Sequence, residues 1–175
     1  LCDRVFSILW RSWIGSHARP ACTALAEKLA EHENISIQKA SDFQQQTFIY
    51  ESNPNVGFIF ESEKEKNYPS LRNVIPRMVM NKSNYIFIAV TGGVRELESL
   101  VAVNADLEKR GYHADNVYSR NIFEKHHMNQ KEIISKIIND MEAKETNYSA
   151  FQKRVDTMSK KDLRKILKHG YQSYR

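Results

Sequence analysis

Between residues 5 and 145 the chain alternates short apolar runs with longer stretches in which apolar residues recur every three or four positions. The first run, Val5-Phe6-Ser7-Ile8-Leu9-Trp10, is nearly unbroken, which is the pattern of a parallel strand covered on both faces. After a polar turn at 11–17, Ala21, Cys22, Leu25, Ala26 and Leu29 fall on one helical stripe while Glu27, Lys28 and Glu31 face outward. Pro20 marks the first turn of this helix, where a missing N–H costs nothing.

Asn34 closes the helix, and Ile35-Ser36-Ile37-Gln38-Lys39-Ala40 alternates apolar with polar, predicting a half-buried edge strand. Residues 42–55 hold Phe43, Phe48, Ile49 and Tyr50 without a clean period and read as a short helix or covering loop. Val56-Gly57-Phe58-Ile59-Phe60 is a second buried strand that opens into a charged loop at 61–67. In 69–80, Leu71, Val74, Ile75 and Met78 have helical spacing, with Pro76 kinking the helix or marking a second start. Tyr85-Ile86-Phe87-Ile88-Ala89-Val90 comes next as another buried strand, ending at a Thr91-Gly92-Gly93 turn.

Leu97, Leu100, Val101, Asn104 and Leu107 then describe a helix closed by Gly111 in the left-handed position. Residues 112–118 read as a fifth strand. Asn129 with Glu132 three positions on forms a capping signature before Ile133, Ile134, Ile137, Ile138 and Met141. Parallel strands joined by right-handed helical crossovers must be covered on both faces, so the pattern predicts an α/β, three-layer sandwich. Residues 1–145 form that domain.

With 175 residues and 41% hydrophobic residues, one domain with a real core is expected. The net charge of +5 is unevenly placed. Eight Lys/Arg and two Asp lie in 146–175, which leaves 18 basic and 19 acidic residues in the first 145. The excess therefore belongs to a basic helical extension, 146–175. In it Ser159 and Asp162 form a cap signature before a narrow stripe of Leu163, Ile166 and Leu167, set among Lys160, Lys161, Arg164, Lys165 and Lys168. The stripe fits a helix packing on its own domain or on a homodimer mate better than a docking helix for an acidic surface. No base-reading motif accompanies it, so nucleic acid is not an expected partner.

No apolar run is long enough to span a bilayer, and the opening lacks the order of a secretion signal, so a cytoplasmic location is expected. Cys2 and Cys22 form neither a disulfide framework nor a metal cluster, and Cys22 reads as a buried structural thiol. The adjacent His126 and His127 read as a solvated loop, so no metal is assigned. Nucleophile and base groups meet only in space, so no catalytic residue is assigned either.

The chemistry the pattern does offer is at the first turn. The unpaired N–H groups of the next helix, with the positive end of its dipole, can hold a phosphate; Ser12 and Ser16 add hydroxyls and Gly15 permits close approach. His17 either contacts the phosphate or caps the helix. The plain alternative is an ordinary strand-to-helix turn that binds nothing.

On these elements the first 145 residues resemble the flavodoxin-like family, whose parallel sheet has the order 2-1-3-4-5 with FMN at the switch point. Against that family's Ser/Thr-x-Thr-Gly-Asn-Thr phosphate loop, Ser12 takes the first position, Ile14 the middle Thr, Gly15 the Gly, Ser16 the Asn and His17 the last Thr. Ile14 brings no hydroxyl, and Trp13 places a large ring that either stacks on flavin or caps the core. The Thr91-Gly92-Gly93 turn and the passage 107–112 resemble the second flavin-contacting region, while Glu61-Ser62-Glu63 stands where the family has Pro-Val-Tyr. The resemblance implies FMN as cofactor and a role in electron transfer or as a small flavin-dependent reductase, with a redox partner the sequence does not name. It implies that Thr91, Gly92 and Gly93 approach the ring and that Glu61 lowers its potential. The alternative is a flavodoxin-like chain that has lost flavin and serves as an interaction module.

Overall fold

The structure is a computed structural model that describes residues 6–10, 20–32, 35–43, 45–62, 69–93, 96–120, 123, 126–162 and 164. Five strands form one parallel sheet: β1 (Phe6–Trp10), β2 (Ile35–Lys39), β4 (Asn55–Ser62), β6 (Tyr85–Gly93) and β7 (Asn116–Ser119). They lie side by side as β2-β1-β4-β6-β7. A separate two-stranded parallel ribbon joins β3 (Ile49–Tyr50) to β5 (Met78–Val79).

Strand alternation sorts the core onto two faces. Phe58, Phe60, Ile86, Ile88 and Val90 meet Leu71 and Val74 of α2 (Pro69–Val74) and Leu97, Leu100 and Val103 of α3 (Glu96–Glu108). Ile59, Phe87, Ala89 and Tyr118 meet Leu25, Ala26 and Leu29 of α1 (Pro20–Ala30) and Ile134, Ile137 and Met141 of α4 (Gln130–Ala143). Helices thus cover both faces. Gly57 sits in central β4 because its register partner Phe87 lays its ring there: a Cβ on Gly57 would meet that ring at 2.2 Å.

Three of the predicted caps hold in atomic detail, and the fourth, Asn34, lies outside the described residues. Glu132 N–H donates to Asn129 Oδ1 at 3.1 Å, and Asn129 N–H donates to Glu132 Oε2 at 2.7 Å. Gly111 takes φ 78° at the end of α3. At Ser159 the hydroxyl accepts from Asp162 N–H at 3.1 Å and donates to Asp162 Oδ2 at 2.6 Å.

Several elements differ from the sequence pattern, among them β3, which lies where a short helix or covering loop is predicted. The helix predicted over 69–80 ends at Val74, passes through a 3-10 turn at Ile75–Arg77 and becomes β5, because Pro76 has no N–H and its ring crowds the preceding turn. The predicted strand over 112–118 begins only at Asn116. Upstream of it the backbone is held by side chains instead: Ala114 N–H donates to Asn104 Oδ1 at 2.8 Å, and Tyr112 Oη accepts Met80 N–H at 3.0 Å. Finally, Tyr148–Asp156 forms a helix, α5, whose first residue joins the core.

The connection into α5 also finishes the sheet edge. Asn147 Oδ1 accepts Val117 N–H at 2.7 Å and its Nδ2 donates to Val117 O at 2.9 Å, so one side-chain amide pairs the outer edge of β7 as a neighbouring strand would. Asp115 O accepts from the N–H groups of both Asn147 and Tyr148. Among the described residues no helix is long and apolar enough to cross a membrane.

Candidate functional site

The carboxyl ends of parallel strands, where the order reverses between β1 and β4, form the natural ligand crevice of such a sheet. β1 stops at Trp10 and α1 starts at Pro20. The predicted phosphate residues Ser12, Trp13, Ile14, Gly15, Ser16 and His17 between them lie outside the described residues.

The next two strands are longer than the apolar pattern predicts. β4 runs through Glu61 to Ser62 and β6 through Thr91 and Gly92 to Gly93, so the predicted glycine turn is the last part of a strand. The register slips there: Phe60 faces Val90, yet Ser62 faces Gly93, so Thr91 and Gly92 together oppose the single residue Glu61. Such a bulge bends a strand and re-aims the residues beyond it. Thr91 is buried, and its Oγ1 lies 3.4 Å from Phe60 O, to which it donates. Its hydroxyl therefore braces the bulge. Glu61 is half-buried beside it.

Next to the bulge, on the α1 and α4 side, lies a cleft of about 330 Å³. Ala24 and Leu25 of α1 form one wall, with Thr91 at the end of β6. Phe123, Met128 and Ile133 form the other wall, and Arg120 and Gln130 supply its polar atoms together with Thr91. The turn leading into α4 is shaped by Met128 N–H donating to Phe123 O at 3.0 Å and by His127 at φ 51°. His126 and His127 are exposed, and among the described residues no group of three His, Cys, Asp or Glu could hold a metal ion.

The sequence pattern did not single out Arg120, Phe123, Met128 or Gln130. They are separated from Leu25 by about a hundred positions and only the crossover of α4 brings them together. Three apolar residues, Ile122, Phe123 and Met128, in an otherwise polar stretch were the available signal.

The strongest electrostatic perturbations lie elsewhere, at the amino ends of the strands. Tyr118 is 1% exposed, and burial first, then its hydrogen bond to the Asp140 carboxylate at 2.8 Å, raises its hydroxyl far above the usual tyrosine range. Tyr85 is pushed up to about 12, chiefly by burial; its Oη donates to Glu145 O at 2.7 Å. Asn116 Nδ2 donates to Tyr118 Oη at 3.0 Å, and Lys136 pairs with Asp140 at 3.0 Å. Perturbed groups mark functional sites only when something can reach them. Here the hydroxyls are enclosed and bonded, and they serve the fold.

No family model matches the chain and no curated protein matches it. Among solved structures the chain is similar to a flavodoxin of Streptococcus pneumonia TIGR4, with a TM-score of 0.51 and 10% sequence identity over 80% of this chain and 99% of that one. The fold is therefore flavodoxin-like, an α/β architecture of parallel strands and helices.

Proposed function

We propose that this chain binds FMN and acts in electron transfer or as a small flavin-dependent reductase. The observation that carries this is the large sheet. Its strands lie as β2-β1-β4-β6-β7, which supports the 2-1-3-4-5 order for which flavodoxin is itself the standard example, and in such sheets ligands sit where the order reverses. The flavodoxin neighbour, nearly all of whose length is matched, supports the same reading at the level of fold.

Two glycines, Gly92 and Gly93, at the end of β6 support the approach of a flat ring, since neither carries a side chain. When bound, flavin supplies one- and two-electron redox chemistry. The chain's own residues orient and tune. In this reading Ser12, Gly15, Ser16 and His17 hold the phosphate with the first amides of α1, and Trp13 and Ile14 shape the turn. The Glu61 carboxylate, half-buried at the bulge, disfavours added negative charge beside it and lowers the potential. Glu61→Gln is expected to raise the flavin midpoint potential; an unchanged redox titration removes Glu61 from this role.

Titration of the purified protein with FMN, followed by flavin fluorescence, tests the reading itself. Saturable quenching at one FMN per chain supports it, and unquenched fluorescence with colourless protein overturns it. A second reading, a flavin-free interaction module, draws on the Thr91 hydroxyl being turned back onto Phe60 and on Gly93 lying within the strand ladder. Under it the basic extension is the contact surface.

A further inference from the structure

The β3–β5 ribbon is finished on one edge and open on the other. On the outer edge of β5, Met78 O accepts from the Arg110 guanidinium at 3.2 Å, and Met80 donates its N–H to Tyr112 Oη at 3.0 Å and accepts from the same hydroxyl at 3.3 Å. Two side chains that follow α3 thus take the bonds a third strand would take. β3 has no such cover. Glu51 N–H donates to Val79 O at 3.0 Å, so residues 49 and 51 turn their backbone groups toward β5, and by the alternation of a strand Tyr50 turns its N–H and C=O the other way. Among the described residues no strand lies beside β3 on that side.

The open edge also carries an apolar patch. Phe48 and Tyr50 are the large apolar side chains that stand exposed among the described residues, at 57% and 77%, while Ile49 between them is buried in the core. Their rings lie side by side, with centroids 6.4 Å apart and planes at 45°. We propose that β3 is the interface of a homodimer, in which the β3 strands of two copies pair antiparallel about a two-fold axis at Tyr50 and join two ribbons into one four-stranded sheet.

Symmetry and charge both select a second copy of this chain as the occupant. On a two-fold axis a residue faces itself, and one whose N–H and C=O both point outward exchanges two hydrogen bonds with its own image. Tyr50 is that residue. The two Tyr50 rings then stand opposite each other on the exposed face, flanked by the two Phe48 rings, and aromatic cross-strand pairs of this kind are favourable. Residues 44–50 carry no charge. Glu51 accepts from Asn53 N–H at 2.9 Å and from Asn53 Nδ2 at 2.6 Å, and in this register it faces Ile49 instead of another acid. Two copies therefore meet without like charges opposed, and the strand offers an acidic or basic peptide no complement. Covering the exposed parts of four rings removes roughly 500 Å² from water. That is below the roughly 1,200 Å² of a stable interface, so the dimer is weak, dissociating on the order of tens of micromolar.

Sedimentation velocity of the full chain from about 5 to 500 μM spans that range. The expected result is a passage from monomer to dimer as concentration rises. Tyr50→Pro removes the outward N–H and the ring while leaving the bonds to β5 in place, and proline is tolerated where an edge N–H faces solvent. It is expected to raise the dissociation constant at least tenfold with far-UV circular dichroism unchanged. Tyr50→Lys sets like charges against each other on the axis with the backbone donor intact, and is expected to give the same loss; if Tyr50→Pro does not fold, this variant decides. Leu163→Lys, in the stripe of the basic extension, is expected to leave the dimer unchanged. A chain that stays monomeric throughout, a dimer indifferent to substitution at Tyr50, or a dimer dispersed by Leu163→Lys would each overturn the proposal.

Discussion

The two ends of the sheet are built on opposite principles. At the amino ends of the strands, buried polar groups are bonded to one another in shared networks. Asp115 Oδ2 accepts Ile86 N–H at 2.8 Å, Asn104 takes Ala114 N–H, Tyr118 bonds Asp140, and Lys144 reaches Asn55 while its ammonium lies 5.0 Å over the Tyr85 ring. At the carboxyl ends the ladder loses register, two glycines replace side chains, and a cleft opens. The difference shows how one fold separates stability from binding. Satisfied networks in a low-dielectric interior lock the structure, whereas an irregular strand end leaves backbone and space for a ligand. Substitutions at the first end should therefore cost stability, and those at the second should alter binding.

The largest effect is expected from Gly57→Ala in the closed half of β4. The new methyl group must displace the Phe87 ring, which is fully buried and set edge-on to Tyr118 with centroids 5.9 Å apart. Overpacking of this kind costs about 2 to 3 kcal/mol, read as a lower urea midpoint. An unchanged midpoint would mean that the sheet yields around the Phe87 ring.

Tyr118→Phe comes next. It takes the hydroxyl from Asp140 and from Asn116 Nδ2, at a cost of about 1 to 2 kcal/mol. The same residue gives a pH signature. Tyr85 and Tyr118 titrate above their unfolded value of 10.0, so their contribution is complete below pH 10. As pH rises past 10 the unfolded chain releases protons that the folded chain retains, and stability falls, through about pH 12 for Tyr85. Tyr118→Phe should make that alkaline decline shallower; an identical slope would contradict the assignment.

These pairs show why part of the fold was legible in sequence and part was not. The buried strands, the stripe of α1 and the Asn129/Glu132 capping box depend on neighbours within a few residues, so periodicity exposes them. The β3–β5 ribbon depends on Ile49 and Met78, 29 positions apart, meeting in only two residues per strand, which leaves no alternation to read. The shortened β7 results from side-chain hooks at Asn104 and Tyr112 that compete with the ladder. At the candidate site, the Glu61 and Thr91-Gly92-Gly93 segments were singled out by their place after buried strands and by the flavodoxin-like resemblance. The bulge between them was not, because register is a property of two strands together. Arg120 carried no such signal, because it joins Leu25 only through contacts distant in sequence.

A smaller effect is expected at the sheet edge. Asn147→Ala removes both bonds to Val117, costing about 1 kcal/mol and accelerating amide hydrogen exchange at Val117 relative to Ile88 in the sheet interior. Unchanged exchange would mean the edge is protected by something other than this amide.

The smallest stability change is expected at the open end. Thr91→Val keeps the shape of the side chain and forfeits one long hydrogen bond, and Arg120→Gln alters an exposed residue. Each should shift stability by less than about 0.5 kcal/mol. A loss as large as that of Tyr118→Phe would erase the contrast between the two ends.

The most direct test of that contrast is an amide chemical-shift map of the protein titrated with FMN. Saturable shifts at 61–62 and 91–93, with Tyr85, Asn116 and Val117 unmoved, are the predicted result. Shifts centred on the Tyr85 and Asn116 end, or no saturable shift at all, would contradict it.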